Sequence, residues 1–205
     1  EIVGWSLARQ FKEKLNKTPR FITGRDTRES GSWIEKAFHK GAIAGGAHCE
    51  SAEVITTPGV AFLTKHFDFD AGIVISASHN PFQDNGIKIF SPSGKKLDEA
   101  TEREIEKDIF ENAGFQISDS RLELDSSKSL EYQNAYLDYL ADGFKKLRLE
   151  NFKIVVDCAN GASSNLAPRL FERFGAEVIA IHNTPNGKNI NNDCGSTHIE
   201  SLLAK

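Results

Sequence analysis

Leu7, Phe11 and Leu15 recur at four-residue intervals in "EIVGWSLARQFKEKL", with Val3 one step earlier on the same face, and this spacing predicts an amphipathic helix. The helix should end near Thr18-Pro19, because proline and its predecessor resist the α conformation. "RFITG" then reads as a short strand and "RDTRESG" as a polar turn. From Ser32 to about Gly46, Ile34, Ala37, Phe38, Gly41, Ala42 and Gly45 share one side of a helix, whose small residues permit close backbone approach. "AEVITT" is the next expected strand, "PGVAFLTKHF" a helix opened by proline, and "AGIVIS" an almost wholly apolar strand. Apolar strands alternating with helices predict an α/β fold, a mixed sheet with helices on both faces.

Beyond that sheet, "IKIF" followed by "GKKL" predicts a hairpin or edge element, and "DEATEREIEKDIFENAG" a plain amphipathic helix. Residues 116 to 129 are polar, hydroxyl-rich and poorly periodic, so an interdomain passage is placed there. A helix from about Leu130 to Leu147 carries Leu137, Leu140, Phe144 and Leu147 on its apolar stripe. "FKIVVDCANG", "SSNLAPRLFERFG" and "AEVIAI" then form a fresh β-α-β unit, in which Leu166, Leu170, Phe171 and Phe174 should face inward. Pro168 inside the helical pattern allows a later start. The expected organisation is residues 1–125 as a first domain, 126–148 as a linking helix, and 149–205 as the start of a second, similar α/β domain.

Charge and composition narrow the classes of function. Twenty-five basic and 29 acidic residues give a formal charge of −4 and a pI of about 5.9, well mixed, which argues against nucleic acid as a main partner. A small anionic ligand needs only a local positive pocket. Cys49, Cys158 and Cys194 are widely spaced and odd in number, which fits a reduced, cytoplasmic setting better than a disulfide framework. No apolar run approaches membrane-spanning length, and no signal peptide pattern is present. The chain has no methionine, opens inside a helical pattern and closes where another begins, so both ends are expected to be truncations of a longer parent.

Chemistry concentrates in "AGIVISASHNPFQDNGIKIF". Ser78 should emerge at the carboxyl end of a strand, the edge where open α/β sheets bind ligands. His79 can exchange protons, Asn80 can cap a turn, and Pro81 stiffens the loop. An ordinary turn with a solvent-facing histidine is the alternative. A hydrolase triad fares badly: the stretch is not Gly-x-Ser-x-Gly, and a serine adjacent to its histidine is not thereby activated. Phosphoryl carriage asks less, since a covalently held phosphate needs donors around it rather than a strong base. "TGRDTRESG" offers Arg25, Thr27 and Arg28 before a helix, although Arg25, Asp26 and Arg28 pairing with one another is equally consistent with the spacing. Lys88, alone between Ile87 and Ile89, either faces water or lines a cleft as a proton donor and acceptor. Asp84, Asp98, Asp108 and Glu111 show no ligand-like spacing, and His39, His48 and His66 read as structural or solvated. "VVDCANGA" and "NGKNINNDCGSTH" are tight turns that could touch a ligand.

"GIVISASHNPFQDNGIKIF" closely resembles the active-serine loop of the α-D-phosphohexomutases, and "GRDTRESG", "VVDCANGA" and "PNGKNINNDCGSTH" resemble the branch of that family acting on glucosamine phosphates. The resemblance covers about residues 20–110 and 150–200. It implies interconversion of glucosamine 6-phosphate and glucosamine 1-phosphate through a phosphoserine at Ser78 and a hexosamine 1,6-bisphosphate intermediate, feeding UDP-N-acetylglucosamine and cell-wall precursors. It further implies a phosphoserine bordered by His79 and Asn80, Lys88 as general acid/base, a supporting loop with Arg25, Thr27 and Arg28, and Mg²⁺ held by Ser78 together with aspartates outside this chain. A small sugar phosphate is the implied partner, a parental homodimer is compatible, and this chain alone is expected to be inactive. A phosphoglucomutase/phosphomannomutase specificity and a non-catalytic sugar-phosphate-binding homologue are the alternatives.

Overall fold

The computed structural model describes residues 1–112, 114, 116–117 and 123–205. Helix α1 (Ile2–Leu15) closes on Asn16 in the left-handed conformation (φ 50°) and packs against α2 (Gly31–Ala44). Between them in sequence lies β1 (Arg20–Arg25), followed after α2 by β2 (His48–Val54), α3 (Thr57–His66), β3 (Ala71–Ile75) and β4 (Ile87–Phe90). The sheet order is β2-β1-β3-β4. The first three strands are parallel and β4 is antiparallel to β3. The expected mixed sheet with helices on both faces is therefore present. On one face Leu7, Phe11, Phe21, Phe38, Ala42, Ile73 and Ile105 are buried together, bringing in α4 (Glu99–Glu111). On the other, Ile22, Val60, Leu63, Val74, Tyr132, Tyr136 and Leu137 join α3 to α5 (Ser129–Gly143).

A second sheet, β5 (Lys153–Asp157) parallel to β6 (Glu177–Ile181), encloses α6 (Leu166–Arg173) in sequence. The chain closes with a short turn of 3-10 helix (Gly195–Thr197) and α7 (Glu200–Leu203). Among the described residues, no helix is long and apolar enough to cross a membrane.

Three expected elements shift. The second strand covers His48–Val54 rather than "AEVITT", because polar Glu50 and Ser51 are buried with hydrogen-bond partners and so continue the strand inward. The fifth helix stops at Gly143, leaving Phe144 61% exposed instead of on an apolar stripe, and Leu147 lies beyond the helix. The sixth helix starts at Leu166 and buries that residue, while Phe171 and Phe174 are half-buried. Part of the expected interdomain passage (residues 118–122) lies outside the described residues.

Candidate functional site

The carboxyl ends of β1 and β3 lie side by side, with Arg25 in register with Ile75 and the Asp26 amide donating to the Ile75 carbonyl at 3.1 Å. The two loops leaving these ends, residues 26–30 and 76–86, therefore start as neighbours. Ser78 is exposed and left-handed, with φ 58°, a conformation that costs a serine roughly 1 kcal/mol or more unless its surroundings impose it. Its surroundings do. The Ser78 amide donates to Ser76 Oγ at 3.1 Å, and the Ser76 amide donates to the Gly86 carbonyl, closing the loop's base.

Arg28 is the loop's internal frame. Its side chain is buried: Nε donates to Asp26 Oδ2 at 3.0 Å, Nη2 to the carbonyls of Ser78 (3.1 Å) and Asn80 (3.0 Å), and Nη1 to that of Pro81. The guanidinium fork suits this use, since its donors leave in fixed, divergent directions. Arg28 and Asp26 do pair, as the spacing allowed, and the pair braces the serine loop. Arg28 is thus spent on protein carbonyls. Arg25 stands at the strand end with Nε bound to buried Glu35 Oε2 at 2.9 Å. Thr27 Oγ1 donates to the Asn160 carbonyl at 2.5 Å.

Lys88 lies opposite Val74 in the β3–β4 ladder, and its Nζ donates to the Ser76 carbonyl at 3.0 Å. It thereby reaches the peptide two residues before Ser78. His79 is exposed, and the Asn80 carboxamide donates to Asp84. Arg28 from the neighbouring loop and Lys88 from β4 converge on the serine loop that carries Ser78 and Asn80; Arg25 lies at the neighbouring strand end, and Thr27 bonds to the second unit.

That second unit supplies what the sequence did not single out. Asn191 Nδ2 donates to the same two carbonyls as Arg28, those of Ser78 (2.9 Å) and Asn80 (3.0 Å). The Glu29 amide donates to the Gly187 carbonyl at 2.9 Å. Between the serine loop and this asparagine-rich loop lies a cleft of about 400 Å³, edged by His79, Phe82, Lys188 and His198, a size suited to a small ligand. No local signal could reveal a contact between residues 113 apart, although the density of Asn and Gly marked the loop as tightly turned.

Among the described residues, no group of three His, Cys, Asp or Glu ligands gathers at Ser78, so these residues alone do not build a Mg²⁺ site there. One such group exists elsewhere. His48, Glu50 and Asp125 place ligand atoms within 4.8 Å of one another, an arrangement able to take a divalent cation. His48, expected to be structural or solvated, is exposed, yet its ring belongs to this group. The group sits toward the amino ends of β1 and β2, away from the serine loop. Its Glu50 carboxylate already accepts from Tyr132, Lys128 and Arg20. Burial alone would raise the Glu50 pKa, and those three donors together hold it below the usual glutamate range.

The sheet, its strand-end serine loop and its flanking helices define an α/β domain with a ligand-sized cleft beside the carboxyl ends of its strands. The chain belongs to the phosphoglucomutase/phosphomannomutase family: the family's alpha/beta/alpha domain I matches residues 1–115. It is 46% identical to the phosphoglucosamine mutase of Solibacter usitatus over 90% of this chain and 41% of that protein. It is 43% identical to that of Deinococcus deserti over 95% of this chain and 44% of the relative. Among solved structures, a putative phosphomannomutase from Thermus thermophilus superposes with a TM-score of 0.81 at 19% identity, over 99% of this chain and 46% of that one, which bears on the fold. The chain thus spans less than half the length of these relatives.

Proposed function

We propose that Ser78 is the phosphoryl carrier of a phosphoglucosamine mutase that interconverts glucosamine 6-phosphate and glucosamine 1-phosphate. The observation that carries this reading is an exposed hydroxyl on a braced, left-handed residue at the carboxyl end of β3, with Lys88 bonded two residues before it. The curated relatives at 43–46% identity, both phosphoglucosamine mutases, support the amino sugar as substrate.

In the forward step the Ser78 Oγ–P bond breaks as a sugar hydroxyl oxygen bonds to phosphorus. Lys88 relays the hydroxyl proton to the departing Ser78 oxygen, and a hexosamine 1,6-bisphosphate results. In the return step Ser78 Oγ bonds to the other phosphorus, the sugar oxygen leaves, and Lys88 relays the Ser78 proton to that oxygen. The chain's residues act by placement: Arg28 and Asp26 fix the loop, Arg25 and Thr27 support its flank, and His79 and Asn80 border the phosphoserine. Such positioning dominates phosphoryl transfer. Ser78, once phosphorylated, would be this chain's ligand to a Mg²⁺ ion, which would supply charge neutralisation of the phosphoserine.

We also infer residues 1–125 as the first domain, 126–148 as the linking segment and 149–205 as part of a second, in keeping with the two separate sheets. Three buried free cysteines are in keeping with a cytoplasmic setting. The test is turnover by the intact protein on glucosamine 1-phosphate, glucose 1-phosphate and mannose 1-phosphate. Glucosamine 1-phosphate should be preferred, and Ser78→Ala should lower turnover by about a thousandfold or more. Preference for a neutral hexose would move the assignment to phosphoglucomutase/phosphomannomutase, and full activity in Ser78→Ala would refute the carrier role.

A further inference from the structure

We propose that Asn191 is a positioning residue for Ser78: its carboxamide, carried by the second α/β unit, clamps the serine loop and holds Ser78 in its left-handed conformation. The catalytic half of this proposal rests on the phosphoserine reading; the clamp itself rests on geometry.

Each carbonyl oxygen has two lone pairs. The Ser78 carbonyl accepts from Arg28 Nη2 and Asn191 Nδ2, at 3.1 and 2.9 Å, and the Asn80 carbonyl accepts from the same two nitrogens, both at 3.0 Å. Both carbonyls flanking the His79 peptide unit are thereby saturated. Arg28 belongs to the same unit as the serine and is braced by Asp26. Asn191 arrives from the other unit, so the two clamps have independent supports.

Asn191 is itself well held. Its amide donates to the Ala159 carbonyl at 2.9 Å, and its φ of 57° is a conformation that asparagine tolerates better than most residues. Buried Asn160 ties the loop from within, donating to the Asn189 carbonyl and accepting from the Thr184 amide. Asp157 anchors its far end by accepting from the Gly195 amide at 2.9 Å. One carboxamide nitrogen carries two N–H groups, which is what two neighbouring carbonyls require; a carboxylate has none to give. The placement of the second unit is therefore coupled to the conformation of the serine, because moving the unit withdraws two of the four bonds that hold those carbonyls.

The test uses Asn191→Gly, which removes the carboxamide without a backbone penalty at positive φ, and Asn191→Asp, which keeps the shape and removes the donors. Asn192→Ala serves as the neighbouring control. Hydrogen exchange of residues 77–85 and steady-state kinetics are measured on the intact protein. Both Asn191 variants should speed exchange in that loop by about tenfold or more while β1 and β3 stay protected, and should lower kcat by about tenfold with KM little changed. Asn192→Ala should leave exchange in that loop as in wild type.

Unchanged loop exchange in both variants overturns the clamp, and if wild type still takes phosphate on Ser78 the carrier reading survives that failure. A loosened loop in a protein that never takes phosphate upholds the clamp and overturns the carrier reading instead. Equal loosening by Asn192→Ala, or loss of protection throughout the sheet in both Asn191 variants, overturns the proposal, since the effect would then belong to the loop backbone or to the whole fold.

Discussion

His39 Nε2 lies 2.8 Å from Thr23 Oγ1, and that hydroxyl spends its proton on Glu35 Oε1 at 2.5 Å, so the imidazole must be the donor and carry its hydrogen on Nε2. Ser51 Oγ donates to the same Glu35 oxygen, and Arg25 to the other. The carboxylate is completely buried, yet every donor aimed at it is matched. Burial lowers the His39 pKa to about 4, with the charge of Asp125 opposing and that of His48 adding. The consequence for stability has a definite sign. Between its unfolded value of about 6.5 and about 4, the unfolded chain binds a proton that native His39 refuses, so stability is lost as pH falls through that window, by up to about 1.4 kcal/mol per unit. His39→Gln supplies a donor that does not titrate and should remove this component. Urea unfolding at about pH 7 and about pH 5 reads the difference; equal losses in wild type and variant would contradict it. From sequence His39 read as structural or solvated; its buried network was not legible, because Thr23, Glu35 and Ser51 meet only across two strands and a helix.

The α1–α2 pair shows how far an element can be read from pattern. Both helices were legible because their apolar positions recur with helical spacing and proline or turn residues bound them. How closely they approach was legible only as permission, in the small residues of α2. A Cβ on Gly4 would lie 2.2 Å from the Phe38 carbonyl oxygen, a backbone atom with no rotamer to yield. Gly4→Ala should therefore destabilise the fold by about 1–3 kcal/mol, against the gain of roughly 1 kcal/mol that helix propensity alone would give. A measured increase in stability would show that the two helices can separate freely. The second strand failed as a pattern for the opposite reason. Its inward positions include Glu50 and Ser51, and hydrophobic alternation cannot anticipate a buried polar residue whose partners come from other elements.

At the scale of the whole molecule, several polar junctions tie the later part of the chain to the first sheet, and two of them act on the serine loop and on a buried carboxylate. One is the serine-loop clamp. The other is Glu50, where α5 docks: Tyr132 Oη donates to its carboxylate at 2.6 Å and Lys128 Nζ at 3.1 Å, beside Arg20 from β1. Tyr132→Phe keeps the ring in its apolar place and removes one charge-assisted bond, so it should cost about 2 kcal/mol in urea unfolding and loosen α5 first. No measurable change would mean that α5 is held by packing alone. The α/β class and the serine loop were legible because they are local: an apolar strand running into Ser-His-Asn-Pro. The junctions were not, because each joins residues about 80 or more positions apart. The phosphoryl-carrier role of Ser78 underlies the whole proposed reaction. The most direct measurement is peptide-mapped mass of the intact protein after incubation with glucosamine 1,6-bisphosphate. A gain of about 80 Da confined to the peptide containing Ser78 and absent in Ser78→Ala is expected; phosphate on another residue, or none on wild type, would rule the carrier role out.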